Sequence, residues 1–149
     1  MPRVRRPADK DELLNRLTSR EENGPFTTYK DAMVFAAALG YANRRREPFS
    51  KSSEPIDWSV FSGFGDEALV NMLPIAEEER LELLAPERFD ERIRWFEEYA
   101  NGGLSLLQQR LASSTQEPLD IILDLIQAGR EPQKEAWEPD WETLAGRLF

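Results

Sequence analysis

The chain has 149 residues, 40% hydrophobic and 32% charged, with a formal net charge of −9. That length suits one domain with a core of its own. It contains no histidine and no cysteine, which excludes Ser-His-Asp and Cys-His triads, HExxH zinc sites, thiolate metal sites and disulfides.

The chain begins MPRVRRPADKDELL. This is basic but has no apolar run behind it, so it does not read as a signal peptide. No segment has the roughly 18 consecutive apolar residues of a membrane span, and a cytoplasmic protein is expected. Residues 1–8, with Arg3, Arg5 and Arg6, read as a flexible basic tail. Asp9–Ser19 then places Leu13, Leu14 and Leu17 on one helical face, with acids in the first turn. Asn23-Gly24-Pro25 breaks the chain. Thr28 is positioned to cap the next helix, with Asp31 three residues on. That helix, AMVFAAAL over Ala32–Leu39, is apolar all round and should end at Gly40. Its alanines let neighbours approach closely, and it reads as the central helix.

Pro48 and Pro55 bracket a connector, and Ile56–Phe61 is the one strand-like run, with Ile56, Trp58 and Val60 in alternation. Asp66 is placed to cap a helix that Pro74 interrupts or kinks, and Glu77–Leu84 reads as a short helix. Phe89, Ile93, Phe96 and Ala100 form the buried stripe of an amphipathic helix over Glu87–Ala100, which Asn101-Gly102-Gly103 should end or bend. Leu104–Leu111, Pro118–Ala128 and Asp140–Leu148 follow as further helices, with Pro118 in a first turn and Gly129 at a C-terminus. The expectation is an all-α, compact single-domain bundle of about six to eight mostly short helices, with at most one short extended segment. Within it, 112–149 forms an acidic helical extension packed on the rest.

Charge is divided unevenly along the chain. Residues 1–51 hold 11 Lys/Arg against 7 Asp/Glu, and residues 52–149 hold 8 against 21. Such asymmetry suggests a partner for one end, although solvated helix faces also produce it. The densest basic feature is Arg44-Arg45-Arg46 with Lys51, directly after the Ala-rich helix. Guanidinium forks suit phosphate or carboxylate, so the cluster fits internal acids, an acidic protein partner or a nucleic-acid backbone. Consecutive residues point different ways, so one site takes all three only on extended backbone.

The acidic runs Glu77-Glu78-Glu79, Asp90-Glu91, Glu97-Glu98 and Glu138/Asp140/Glu142 single out no convergent metal set, and they read as solvated helix faces. Ser62-Gly63-Phe64-Gly65 lacks the spacing and lysine of a phosphate loop, and none of the four lysines forms a Ser-x-x-Lys pair. Trp58, Phe61, Phe64, Trp95, Phe96 and Tyr99 could stack bases, but their spacing suits a core. Trp137 and Trp141, among acids near the C-terminus, suit docking on this domain or in a partner's groove.

GPFTTYKDAMVFAAALGYANRRREPFSKSSEPIDWSVF and the later FEEYANGGLSLLQQRL resemble a family of small bacterial proteins, dnd system-associated protein 4. The resemblance runs from about Gly24 to Leu111. It implies a role beside a system that places sulfur in the DNA backbone and restricts unmodified DNA. No catalytic residue comes with it. The expected function is a non-enzymatic accessory or regulatory component that docks on larger proteins of that system, with no cofactor. Arg44, Arg45, Arg46, Lys51 and Trp58 are the candidate contact residues. The alternatives are a DNA-binding factor using the basic N-terminal third, or a DNA mimic using the acidic remainder.

Overall fold

A computed structural model describes residues 2–63 and 65–130. The chain runs through β1 (Arg3–Pro7), α1 (Asp11–Thr18), α2 (Tyr29–Ala42), β2 (Ser52–Asp57), α3 (Trp58–Ser62), α4 (Glu67–Glu78), α5 (Phe89–Ala112) and α6 (Pro118–Arg130). Short 3-10 turns occupy Ala8–Lys10, Leu81–Leu84 and Pro86–Arg88. The fold is predominantly helical but carries a two-stranded antiparallel sheet, so it is not purely all-α. Asp140–Leu148, Trp137 and Trp141 lie outside the described residues. Among the described residues no helix is long and apolar enough to cross a membrane.

The periodic leucines behave as their spacing requires. Leu14 and Leu17 of α1 are fully buried, each worth about 1.5–3 kcal/mol of transfer free energy. Thr28 caps α2 by accepting from the Asp31 N–H at 3.2 Å. Asp66, expected to cap α4, makes no capping bond there. It accepts instead from Lys30 Nζ of α2 at 2.6 Å, and Lys30 also pairs with Asp31 at 2.9 Å. Burial pushes the Asp31 carboxyl up and the Lys30 ammonium down. Hydrogen bonds and charge attraction within the triad, with the Thr28 and Thr27 hydroxyls added at Asp31, together outweigh burial, so Asp31 sits below and Lys30 above its ordinary range. α4 continues through the buried Pro74 to Glu78, and α6 continues through Gly129 to Arg130.

The central helix is α5, not α2. It is buried from Trp95 to Leu104 without interruption and packs against α2, α4, α6 and β1. Asn101-Gly102-Gly103 does not end it, because these residues serve packing. A methyl group at Gly103 would overlap the Ala36 carbonyl of α2, one at Gly102 the Arg45 carbonyl, and one at Gly40 the Tyr99 carbonyl. Glycines thus let α2 and the residues after it lie backbone-to-backbone on α5. This contact outweighs the roughly 1 kcal/mol helix penalty of each glycine.

Residues 3–7 are a strand rather than a free tail. Val4 and Pro7 are buried on the core, and β1 pairs with β2 in the register Arg3↔Asp57, Val4↔Ile56, Arg6↔Ser53 and Pro7↔Ser52. Between Val4 and Arg6 the register shifts, with Glu54 and Pro55 opposite Arg5. Pro55 has no N–H to give a ladder, and such an irregularity is where a strand tolerates proline. The strand-like run found from sequence is therefore displaced. β2 stops at Asp57, and Trp58 opens α3.

Candidate functional site

The middle of α5 carries Glu97, Glu98 and Asn101, all nearly fully buried. A buried carboxylate is tolerable only when cations and donors satisfy it, and segments from two distant parts of the chain supply them. From β1, the Arg5 backbone N–H donates to Glu97 Oε2 at 2.5 Å and the Arg5 side chain donates to Oε1 at 3.1 Å. From the connector after α2, Arg46 Nε donates to Glu98 Oε1 at 2.8 Å, with its guanidinium 3.8 Å from the Trp95 ring centroid. The Glu47 N–H donates to the Glu98 carbonyl at 3.0 Å. Asn101 completes the seam: its Nδ2 donates to the Glu47 carbonyl, and its Oδ1 accepts from the buried Lys10, each at 3.0 Å. Burial raises the Glu97 carboxyl above its ordinary range, and the Arg5 contacts offset this only in part. The reading of Glu97-Glu98 as a solvated face is corrected here.

The five sequence-predicted contact residues are used differently. Arg45 pairs with Glu47 at 3.4 Å and donates to Gln109 at 3.3 Å. Arg46 is held by Glu98 and Trp95. Arg44 is exposed; its backbone N–H donates to the Tyr41 carbonyl at 3.0 Å, and no hydrogen bond or ion pair reaches its side chain among the described residues. Its φ of 52° puts it in the left-handed region. It occupies the position after the Asn43 cap of α2, where the Arg45 N–H returns to the Gly40 carbonyl at 2.7 Å. Lys51 is exposed at the side chain, while its carbonyl accepts from the Ala8 N–H at 3.0 Å. Trp58 is half-buried, stacked on Phe61 at 5.8 Å and edge-on to Phe89 at 4.9 Å, which makes it a core anchor. Arg44 and Arg46 come together on one cleft, which neither Lys51 nor Trp58 lines.

The β1 arginines repeat this pattern. Arg3 meets Asp57 at 3.2 Å, and Arg6 meets Asp11 at 3.7 Å while lying 4.4 Å from the Tyr29 ring centroid. Sequence reading missed Glu97, Glu98, Asn101 and Lys10 as the organising groups. A signal was present, because Glu97 and Glu98 sit beside the buried Phe96 and one turn before Gly102-Gly103. Among the described residues no group of three or more Asp or Glu gathers as a metal site would require.

Fold and site together define a small helical protein whose clustered arginines mostly pair with its own acids, Arg5 and Arg46 clamping their two chain segments onto Glu97 and Glu98 of a central helix. The chain belongs to the family DNA sulphur modification system-associated protein 4, whose model matches residues 3–143. The family description associates it with a DNA sulphur modification system. No curated protein and no solved structure matches the chain.

Proposed function

We propose that this protein is a non-enzymatic accessory component of a DNA sulphur modification or restriction system, a phage-defence role, and that it acts by docking on larger proteins of that system. The observation that carries this reading is the outer face of α6. Leu119, Leu123 and Ile126 recur there at i, i+4 and i+7 and are 41%, 53% and 40% exposed, while Ile121 and Ile122 of the same helix face the core. An apolar helical stripe of this spacing suits insertion into a partner's groove. Internal pairing of the arginines supports the same reading, because it leaves little of the basic N-terminal third for phosphate.

Co-purification from cells expressing the tagged protein with the other proteins of the system tests this. The wild-type chain retains a larger component, and Leu123→Glu releases it without loss of helicity, since Leu123 is exposed. Retention by a Leu119/Leu123/Ile126→Ser variant equal to that of wild type would refute the assignment. So would a wild-type protein that captures no component of the system.

A further inference from the structure

At the C-terminal end of α2 lies a cleft of about 520 Å³, within the roughly 300–1,000 Å³ usual for small-ligand sites. Four segments build it. Tyr41 and Ala42 come from α2, Arg44 and Arg46 from the connector, Ala76 and Glu77 from α4, and Tyr99 from α5. The two alanines leave the space, and the other five residues carry the chemistry.

The two arginines are prepared for an anion in different ways. Arg46 is held by Glu98 at its Nε and by the Trp95 face, and its terminal nitrogens hydrogen-bond nothing among the described residues. A guanidinium fixed in this way loses little conformational freedom on binding an oxyanion. The Arg44 guanidinium has no partner among the described residues, and its backbone stands at a left-handed position where glycine is the unstrained choice. A strained residue whose side chain is free and lines a cleft is a pointer to function. The aromatic walls point the same way. Tyr41 is 36% exposed, edge-on to Tyr99 at 5.8 Å. Tyr99 is 3% exposed, lines the cleft, and its hydroxyl hydrogen-bonds nothing among the described residues. Glu77 brings an acceptor that would repel a bare anion. Two cations, an exposed ring and a lone acid therefore call for a ligand that combines a negative group, a planar ring and a hydrogen-bond donor.

We propose that this cleft binds a nucleotide. Its phosphate meets Arg44 and Arg46, its base lies against Tyr41, and an exocyclic amino group of the base donates to Glu77. The nucleotide is either free or the 5′-terminal residue of a DNA strand. This site is separate from the α6 stripe, and its test does not depend on the docking reading.

Calorimetric titration of the full chain with AMP, IMP, adenosine and inorganic phosphate tests the chemistry. AMP should bind at least tenfold tighter than adenosine or phosphate alone. It should also bind more tightly than IMP, which presents a carbonyl where AMP has an amine, and Glu77→Ala should remove that preference. Arg44→Gly should weaken AMP about tenfold or more, the usual loss of a charge-assisted hydrogen bond, while the apo Tm stays the same or rises. A purely structural Arg44 would leave binding unmoved. A 5′-phosphorylated single strand against its 5′-hydroxyl counterpart distinguishes the sources: strand binding without AMP binding assigns the DNA end, and AMP binding assigns the free nucleotide. Absence of binding by both at millimolar concentration, AMP binding unchanged in Arg44→Gly, or phosphate binding as well as AMP would each overturn the proposal.

Discussion

The arginines of β1 and those of the connector after α2 arrive from distant parts of the chain and finish on adjacent residues of one helix. Arg5 meets Glu97 and Arg46 meets Glu98. Around them Arg3, Arg6 and Arg45 find Asp57, Asp11 and Glu47. The two clusters differ at one place. On the extended backbone of β1 every arginine meets an acid, whereas the connector begins with a left-handed residue that leaves Arg44 exposed. Backbone geometry, not the density of positive charge, decides which guanidinium is available to another molecule. A chain segment with a balance of +4 is not thereby a basic surface.

The pairs also differ in weight. Arg3–Asp57 is more than half exposed on both sides, and such pairs contribute about 0–1 kcal/mol. Glu97 and Glu98 are buried in the helix that α2, α4, α6 and β1 pack on, so breaking either pair leaves an unpaired charge or donor near the core.

The connector cluster depends on α2 and the connector lying flat on α5, so the largest effect should come from that crossing. Gly103→Ala forces a methyl group into the Ala36 carbonyl, and the backbone shift should cost about 3 kcal/mol or more, read by urea denaturation. A loss below about 1 kcal/mol would mean that the crossing is looser than described. Next comes Glu98→Ala, which strands Arg46 against Trp95. It should lose about 2–3 kcal/mol, as removal of one partner of a buried pair does. Arg45→Ala should lose about 1 kcal/mol or less, since both members of its pair are about one-third exposed. Equal losses for Glu98→Ala and Arg45→Ala would erase the difference between inner and outer pairs.

Much of this frame is legible in the sequence, and the remainder has identifiable causes. The Thr28–Asp31 cap, the leucines of α1 and the Phe89–Ile93–Phe96–Ala100 stripe are local patterns and appear where their spacing places them. The continuity of α5 is not local. Gly102 and Gly103 read as breakers until the backbones of Ala36 and Arg45 lie against them. β1 stays hidden because Arg3 finds its partner at Asp57, and a proline-bearing strand of arginines carries no alternating apolar signal. The burial of Glu97 and Glu98 follows from that same missing strand and connector. The cleft at Tyr41, Arg44, Arg46, Glu77 and Tyr99 draws on four segments that no sequence spacing links.

The smallest effect concerns pH. Burial makes Glu97 harder to ionise in the folded protein than in the unfolded chain, whose ordinary value is 4.5. Just above that value the folded state holds the extra proton, so this group's contribution to stability falls as pH rises and levels off once the folded carboxyl has ionised. Glu97→Gln should flatten that part of the profile, measured by denaturation in steps upward from pH 4.5. An unchanged slope would show that Arg5 satisfies the carboxylate fully.

Salt dependence of duplex binding tests the internal pairing most directly, because each phosphate contact contributes about −0.9 to the slope of log K against log salt. A hydroxyl-ended duplex, phosphorothioated or unmodified, is titrated with the wild-type chain and with an Arg45→Ala/Arg46→Ala variant. Internal pairing leaves Arg44 and Lys51 as the cations of the candidate cluster without an acid partner among the described residues, so any binding should be weak, with a slope no steeper than about −2 and unchanged in the variant. A slope near −5 or steeper that falls in the variant would place the arginine clusters on DNA and contradict their role as clamps on α5.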